Sequence, residues 1–180
     1  MLDAAGVDVK ADPADLDESS IKSALDGDDQ ALALALSEAK ALATSRRASG
    51  KWVIGGDSIV SVDGRRFDKP RSRDDAAAHL RYFSGKPMRL TSAASLARDD
   101  TVEWSHATQA TLHTRNLSDD FIHTYLEAEW PAVSHCVGVF RMEGPGATLF
   151  DRVEGDHFTI LGLPLLPLLG ALRERGLMAS

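Results

Sequence analysis

The amino-acid sequence predicts an α/β protein with a mixed sheet, flanking helices and one extended antiparallel hairpin. Two observations support this prediction. Segments rich in the helix formers Ala and Leu alternate with segments of β-branched residues, and two long segments around a two-residue turn alternate like the strands of a half-buried hairpin. The chain has 180 residues, of which 43% are hydrophobic, so it can bury a sizeable core. One domain is expected, with two small lobes as the upper limit.

The chain begins with a strongly acidic segment. Its first thirty residues, which include Glu18 and Asp26, predict irregular, solvated chain. Asp28 or Asp29 can cap the following segment, QALALALSEAKALATSRR, which is rich in Ala and Leu and ends near Gly50. This segment is the first predicted helix.

Two strands and a second helix are predicted next. Residues 51–56 and 58–62 carry β-branched side chains, and Asp63-Gly64 is typical of a type I′ turn that returns the chain through residues 65–67. Residues 73–83 then have the composition of a helix, which the Ser84-Gly85 turn would end.

The hairpin and the later helices follow. Residues 102–112 alternate between apolar and more polar side chains, and residues 88–97 would face them across the Asp99-Asp100 turn. Ser118 can cap the helix DDFIHTYLEAE, which Pro131 closes. Short strands and glycine turns then lead to a terminal helix at 166–175.

Composition restricts the class of protein. The formal net charge of −7 disfavours binding to nucleic acid or anionic lipid. Cys136 is the single cysteine and cannot form an internal disulfide, so a reducing, cytoplasmic location is expected. No apolar stretch reaches the roughly 18–20 residues of a membrane helix. A phosphate-bearing substrate would therefore need a local cationic pocket or a metal.

Asp57 is the first candidate for catalysis. It follows the apolar segment 52–54 and two glycines, so a buried strand would deliver a carboxylate at its end, where glycines let a substrate approach the backbone. Such a carboxylate suits a metal and an attacking water. The alternative is that Asp57 only caps a turn.

Two lysines are placed where their side chains could reach a cleft or leave a loop. Lys40 lies at the border of the apolar stripe of the first helix, so its ammonium could reach a cleft while its stem packs on the core. A solvated helix lysine is the alternative. Lys69 precedes Pro70, which favours extended backbone and directs Lys69 out of a loop.

Four segments, read together, resemble a known family. They are LDE at residues 16–18, SEAKALA at 37–43, GGDSIVSVDGRRFDKP at 55–70 and EGPGATLFDRVEGDHFTILGLPL at 143–165. Their order and separations are similar to those of the Maf proteins, a family of nucleoside triphosphate pyrophosphatases. One such segment alone is a weak signal, but four cover nearly the whole chain.

The resemblance implies a fold, an activity and a set of site residues. The fold would be the Maf/ITPase-like mixed sheet flanked by helices, with a nucleotide-binding cleft. The activity would be hydrolysis of a nucleoside triphosphate to monophosphate and pyrophosphate with a divalent metal, Mg²⁺ or alternatively Mn²⁺. By resemblance, Asp57 is the catalytic base and a metal ligand, Glu18 supports the metal, and Lys40 and Lys69 hold phosphates. Chance placement is the alternative for Glu18, because its neighbourhood is dense in acidic residues.

Two positions bear on the base. The segment HCVGVFRMEGPGATLFDRVEG at 135–155 resembles the branch that acts on 7-methyl-GTP more than the branch that acts on dTTP and UTP, which has Gln in place of Glu143. A carboxylate there can accept the N1–H and N2–H donors of guanine, whereas the alternative is a surface turn glutamate. Ser58 departs from the Gln of the first branch and the Thr of the second.

A second class of function is also implied. Maf proteins open with a strand and a Ser-x-Ser-x-x-Arg-Arg phosphate loop, and residues 1–180 are expected to form a single Maf-like domain without them. A catalytically impaired nucleotide-binding or cell-division regulatory protein is therefore the alternative, since the family is associated with inhibition of septum formation. A homodimer would cover the sheet edge that the strand would otherwise occupy.

Overall fold

The computed structural model describes residues 1–25 and 28–179. The α-helices are α1 (Ser19–Ala24), α2 (Asp29–Ser45), α3 (Arg73–Phe83), α4 (Asp119–Glu129), α5 (His157–Ile160) and α6 (Leu165–Glu174). The strands are β1 (Val53–Val62), β2 (Arg65–Phe67), β3 (Pro87–Arg98), β4 (Thr101–Thr114) and β5 (Phe150–Glu154). Short 3₁₀ helices span Asp3–Ala5, Ala132–His135 and Pro145–Leu149. None of the described helices has the length and apolar character needed to cross a membrane.

Side-chain caps fix where the main helices begin. Asp28 accepts hydrogen bonds from the backbone N–H groups of Gln30 and Ala31 at the start of α2. Ser72 and Ser118 cap α3 and α4 in the same way. Each cap satisfies an N–H that has no partner within its helix, which stabilises the helix by about 1 kcal/mol. The predicted helices are confirmed at these positions.

The acidic start is more ordered than predicted. We expected irregular chain over the first thirty residues, but α1 lies within this segment and is preceded by Glu18 at its N-cap. The prediction missed α1 because this helix has only 6 residues and follows an acidic stretch, and a helix this short is stabilised by its neighbours rather than by its composition. Asp26 lies outside the described residues.

The strands form one five-stranded sheet in the order β2-β1-β3-β4-β5. Antiparallel pairing joins β1 to β2, with Val62 opposite Arg65, and joins β4 to β5, with Leu112 opposite Val153. Asp63 and Gly64 both have positive φ, as do Asp99 and Asp100, so both predicted two-residue turns are confirmed. The α/β class and the extended hairpin of β3 and β4 are confirmed as well.

The chain divides into two compact units. The first comprises Met1–Ser58, Thr91–Thr108 and Gly162–Ser180, within the described ranges. Its buried apolar side chains come from α2, β3 and α6 and include Leu32, Leu36, Leu96, Leu168 and Leu172. A buried hydroxyl pair joins α2 to β3, since Oγ of Ser37 lies 2.6 Å from Oγ of Ser95.

The second unit comprises Ile59–Leu90 and Gln109–Leu161. Its core is a single apolar cluster from β1, α3, β3, β4 and α4 and the segment after α4; the larger side chains in it are Val60, Phe67, Leu80, Phe83, Met88, Leu112, Ile122, Tyr125, Leu126 and Leu149. Within each unit, helices pack their apolar faces on strands, as the α/β prediction requires.

Candidate functional site

Asp57 lies on β1, where the strand passes very close to helix α2. Gly55 makes this approach possible: a Cβ added there would lie 2.7 Å from the backbone nitrogen of Ala41 and 2.9 Å from its Cβ. Any side chain larger than hydrogen would therefore push α2 away from the strand. Two residues further on, the carboxylate of Asp57 is only 13% exposed. The contact with α2 thus explains Gly55, the first of the two glycines before Asp57.

Lys40 of α2 places its ammonium between two carboxylates. Its Nζ donates a hydrogen bond to Oδ1 of Asp57 and lies 2.9 Å from Oε1 of Glu18. The second oxygen of Glu18 lies 3.2 Å from Nζ of Lys22, one turn along α1. The two predicted metal ligands, Asp57 and Glu18, and one of the two predicted phosphate ligands, Lys40, are therefore brought together within the first unit.

The surroundings make the two carboxylates chemically different. Burial raises the pKa of Asp57 above its usual value, and Lys40 offsets only part of this rise. Burial would also raise the pKa of Glu18, but the hydrogen bonds and charges of Lys40 and Lys22 outweigh it, so the pKa of Glu18 is lowered. Asp57 is consequently the better proton acceptor of the two, while Glu18 keeps its negative charge.

The lysine of the cluster keeps its proton. Burial on its own would lower the pKa of Lys40, but its hydrogen bonds to Asp57 and Glu18 and their charges outweigh burial, so the pKa is raised. A permanently protonated ammonium can attract phosphate oxygens, and its point charge does so without a fixed geometry.

The oxygen donors fit a hard divalent cation that retains other ligands. The described residues include no group of three or more His, Cys, Asp or Glu side chains that could enclose a metal ion. Asp57 and Glu18 offer two carboxylates, and Mg²⁺ is commonly held by one or two carboxylates together with substrate phosphates and water. These two residues therefore suit a metal that arrives with its substrate.

The side chain of Ser58 makes its hydrogen bonds within the same unit. Its Oγ lies 2.9 Å from Oγ of Ser92 on β3 and 3.2 Å from the backbone oxygen of Gly162, to which it donates. Gly162 has a φ of 96°, a conformation that favours glycine, and this turn brings its carbonyl to Ser58. Ser58 thus ties the strand carrying Asp57 to the segment that leads into α6.

Lys69 and Glu143, the other two predicted site residues, lie in the second unit. Both side chains are exposed. The pKa of the half-buried Cys136 thiol is raised, mainly by burial and to a smaller degree by the charge of Glu143. The charges of Arg141 and Lys69 oppose this rise. Lys69 and Glu143 therefore act electrostatically on the same thiol.

Two features of these surroundings were missed from sequence. Lys22, paired with Glu18, stands four residues after it, and this helical spacing could have indicated the pair. The ion pair of Glu129 with Arg141, twelve positions apart, leaves no local pattern, so only the tertiary structure shows it.

The fold and this cluster define an α/β protein with paired carboxylates and an ammonium, a combination suited to substrates that carry phosphate. The family model described as "Maf-like protein" matches residues 1–175. The chain belongs to this family, as the four segments indicated.

Curated relatives agree with this assignment. The chain is 42% identical over 179 residues to a 7-methyl-GTP pyrophosphatase of Rhizobium etli and 43% identical to that of Rhizobium meliloti; each alignment covers 98% of this chain and 90% of the relative. It is 41% identical over 177 residues to a nucleoside triphosphate pyrophosphatase of Granulibacter bethesdensis, with 97% and 90% covered. The enzyme class expected from the sequence is the class that these names state.

Proposed function

We propose that this protein hydrolyses a nucleoside triphosphate between the α and β phosphates and releases a monophosphate and pyrophosphate. The observation that carries the proposal is the Lys40 ammonium bound between the carboxylates of Asp57 and Glu18. The names of the curated relatives support the reaction class.

The geometry of the cluster suggests separate roles for Lys40 and Asp57. Lys40 neutralises two carboxylates that would otherwise repel each other. A triphosphate competes for this ammonium, so substrate binding draws Lys40 toward phosphate oxygens and releases the carboxylate of Asp57. The released carboxylate can then take a proton from the attacking water, a role favoured by its raised pKa.

Enzymes of this class generally use a divalent metal, and Mg²⁺ or Mn²⁺ is proposed here. Asp57 and Glu18 would hold the ion together with phosphate oxygens and water, and the ion would supply neutralisation of charge on the phosphates. Water attacks the α-phosphorus, the bond from this phosphorus to the bridging oxygen breaks, and pyrophosphate leaves with the electron pair.

The proposed substrate is a modified guanine nucleotide such as 7-methyl-GTP. Two curated relatives bear this substrate in their names, and Glu143 offers an exposed carboxylate that can accept the donors of guanine. Lys69 stays a predicted phosphate ligand and Glu143 a predicted base-reading residue. A cytoplasmic location, a homodimer and the absence of a nucleic-acid partner also stay predictions.

The decisive experiment measures pyrophosphate release from a panel of common and methylated nucleotides with Mg²⁺. Asp57→Asn should lower turnover by about 10²–10⁴, because it removes the proton acceptor and a metal ligand while nearly preserving shape. The matched control is Asp63→Asn, which changes an exposed turn aspartate whose conformation asparagine also tolerates.

The outcomes separate the two classes of function. Turnover lost in Asp57→Asn and kept in Asp63→Asn supports the enzyme. Near-normal turnover in Asp57→Asn contradicts the role of Asp57. Nucleotide binding by the unchanged protein without pyrophosphate release from any nucleotide would instead support the alternative, a nucleotide-binding regulatory protein.

A further inference from the structure

An ion pair with a buried carboxylate lies beside the turn that carries Glu143. The side chain of Glu129, the last residue of α4, is only 3% exposed. Nε of Arg141 donates to one oxygen of this carboxylate at 2.9 Å, and Nη2 donates to the other at 3.0 Å. Two parallel hydrogen bonds fix the plane of the guanidinium, which a single contact would leave free to rotate.

The turn itself folds back onto Arg141. The backbone N–H of Gly144 donates to the carbonyl of Arg141 at 3.1 Å. A Cβ added to Gly146 would lie 2.6 Å from the backbone nitrogen of Arg141, so the two segments touch without space for a side chain. A Cβ at Gly144 would lie 3.8 Å from Nη2 of Arg141 and 3.9 Å from Oε1 of Glu129. Both the backbone and the side chain of Arg141 thus border the turn.

Glu143 and Arg141 also interact through their charges. The pKa of Arg141 is raised by its hydrogen bonds to Glu129 and, to a smaller degree, by the charge of Glu143. The side chain of Arg141 is 41% exposed, and its Nη2 lies near Gly144 of the turn. The buried carboxylate therefore holds a cation at a fixed place next to an exposed carboxylate.

We propose that the pair of Glu129 with Arg141 positions Glu143 and thereby sets the preference of the enzyme for one class of base. This inference rests on the proposed function and deepens it: the ligand recognised at this turn is a purine that presents paired N–H donors, such as 7-methylguanine. Arg141 and Glu129 are positioning residues, since neither is required to touch the base. They contribute by fixing the orientation of the Glu143 carboxylate, which contacts the base.

The chain provides its own reporter for this turn. Cys136 is the only cysteine, and its thiol senses the charges of Glu143 and Arg141. Calorimetry with 7-methyl-GMP and with UMP, without metal, measures binding of each nucleotide independently of catalysis. Alkylation of Cys136, compared with and without nucleotide in each variant, then reports whether the bound nucleotide alters the surroundings of the thiol.

The test variant is Arg141→Lys, which keeps the charge but loses the planar, two-point contact with Glu129. We expect the preference for 7-methyl-GMP over UMP to fall by roughly tenfold, the scale of one spoiled bidentate contact to a base. The matched control is Arg81→Lys, at an exposed ion pair with Asp119 in the same unit, which should leave the preference unchanged. Glu143→Gln serves as the reference for lost base reading.

A second variant separates positioning from stability. Glu129→Leu combined with Arg141→Met removes both charges and leaves neither buried and unpaired, so the fold should be retained. We expect this double variant to unfold at a denaturant concentration near that of the unchanged protein and still to lose the preference. If the pair of Glu129 with Arg141 only stabilised the fold, the double variant would keep its preference for 7-methyl-GMP over UMP.

Each outcome decides the inference. It is overturned if Arg141→Lys keeps the preference while Glu143→Gln loses it, or if both nucleotides weaken equally in Arg141→Lys. If the unchanged protein binds neither nucleotide and releases no pyrophosphate, the proposed function fails together with the inference. If it releases pyrophosphate but prefers neither base, the inference alone fails.

Discussion

The close approach of β1 to α2 at Gly55 can be tested with a single methyl group. In Gly55→Ala, the new Cβ would lie 2.7 Å from the nitrogen of Ala41, whereas ordinary contacts of this kind are 3.4–4 Å. The strand and the helix would have to separate by roughly 1 Å, because a packed interior has little free volume to absorb the clash. Ala41 is the neighbour of Lys40, so the same movement shifts the ammonium away from Asp57.

The expected loss of stability in Gly55→Ala is about 1–3 kcal/mol, the usual cost of overpacking. For a chain of this length, such a loss lowers the melting temperature by roughly 2–12 °C. A displacement of about 1 Å at a catalytic group can also reduce the rate about 10²-fold. Thermal unfolding and pyrophosphate release, measured well below the lower melting temperature, give both quantities.

Gly56→Ala is the matched control. A Cβ at Gly56 would lie 3.6 Å from Cδ1 of Leu163 and 3.7 Å from the carbonyl of Ala93, which are ordinary contacts. This variant should be as stable as the unchanged protein, or more stable by about 0.4–1 kcal/mol, because alanine restricts the unfolded chain. Equal stability and equal turnover in Gly55→Ala and Gly56→Ala would refute the claim that the contact positions Lys40.

Two further predictions concern buried polar groups. Ser37→Ala should lower the free energy of unfolding by about 1–3 kcal/mol, because it leaves the buried Ser95 hydroxyl without this partner. The double variant Ser37→Ala with Ser95→Ala should lose less free energy of unfolding than the sum of the two single variants. Denaturant unfolding of all three variants measures these losses, and additive losses would contradict the pairing. Burial lowers the pKa of His79, which packs on Phe67 and Phe83, so the folded state prefers the neutral ring. Stability should therefore fall as the pH drops below about 6.5, by at most about 1.4 kcal/mol per pH unit, and His79→Phe should flatten this slope; an unchanged slope in unfolding titrations would show that another group is responsible.

The elements that could be predicted from sequence depend on local interactions. Ser72 and Ser118 cap their helices through bonds that span three residues, and Asp63-Gly64 forms its turn through its own backbone conformations. Such signals need no knowledge of the rest of the chain. Helix α1 escaped prediction because it has only 6 residues and its N-cap residue, Glu18, makes no side-chain cap. Glu18 is instead placed by a lysine 22 positions away.

The sequence by itself determined the α/β class, the family and the candidates Glu18, Lys40 and Asp57. The ends of strands, the apolar faces of helices and the family segments can each be recognised within a short stretch of sequence. The tertiary structure decided that the carboxylates of Asp57 and Glu18 share the ammonium of Lys40, that burial raises the pKa of Asp57, and that the pair of Glu129 with Arg141 lies beside the turn of Glu143. Those properties arise from burial and from contacts between distant segments. The free energy of a charge depends on everything around it, and only the folded chain fixes those surroundings.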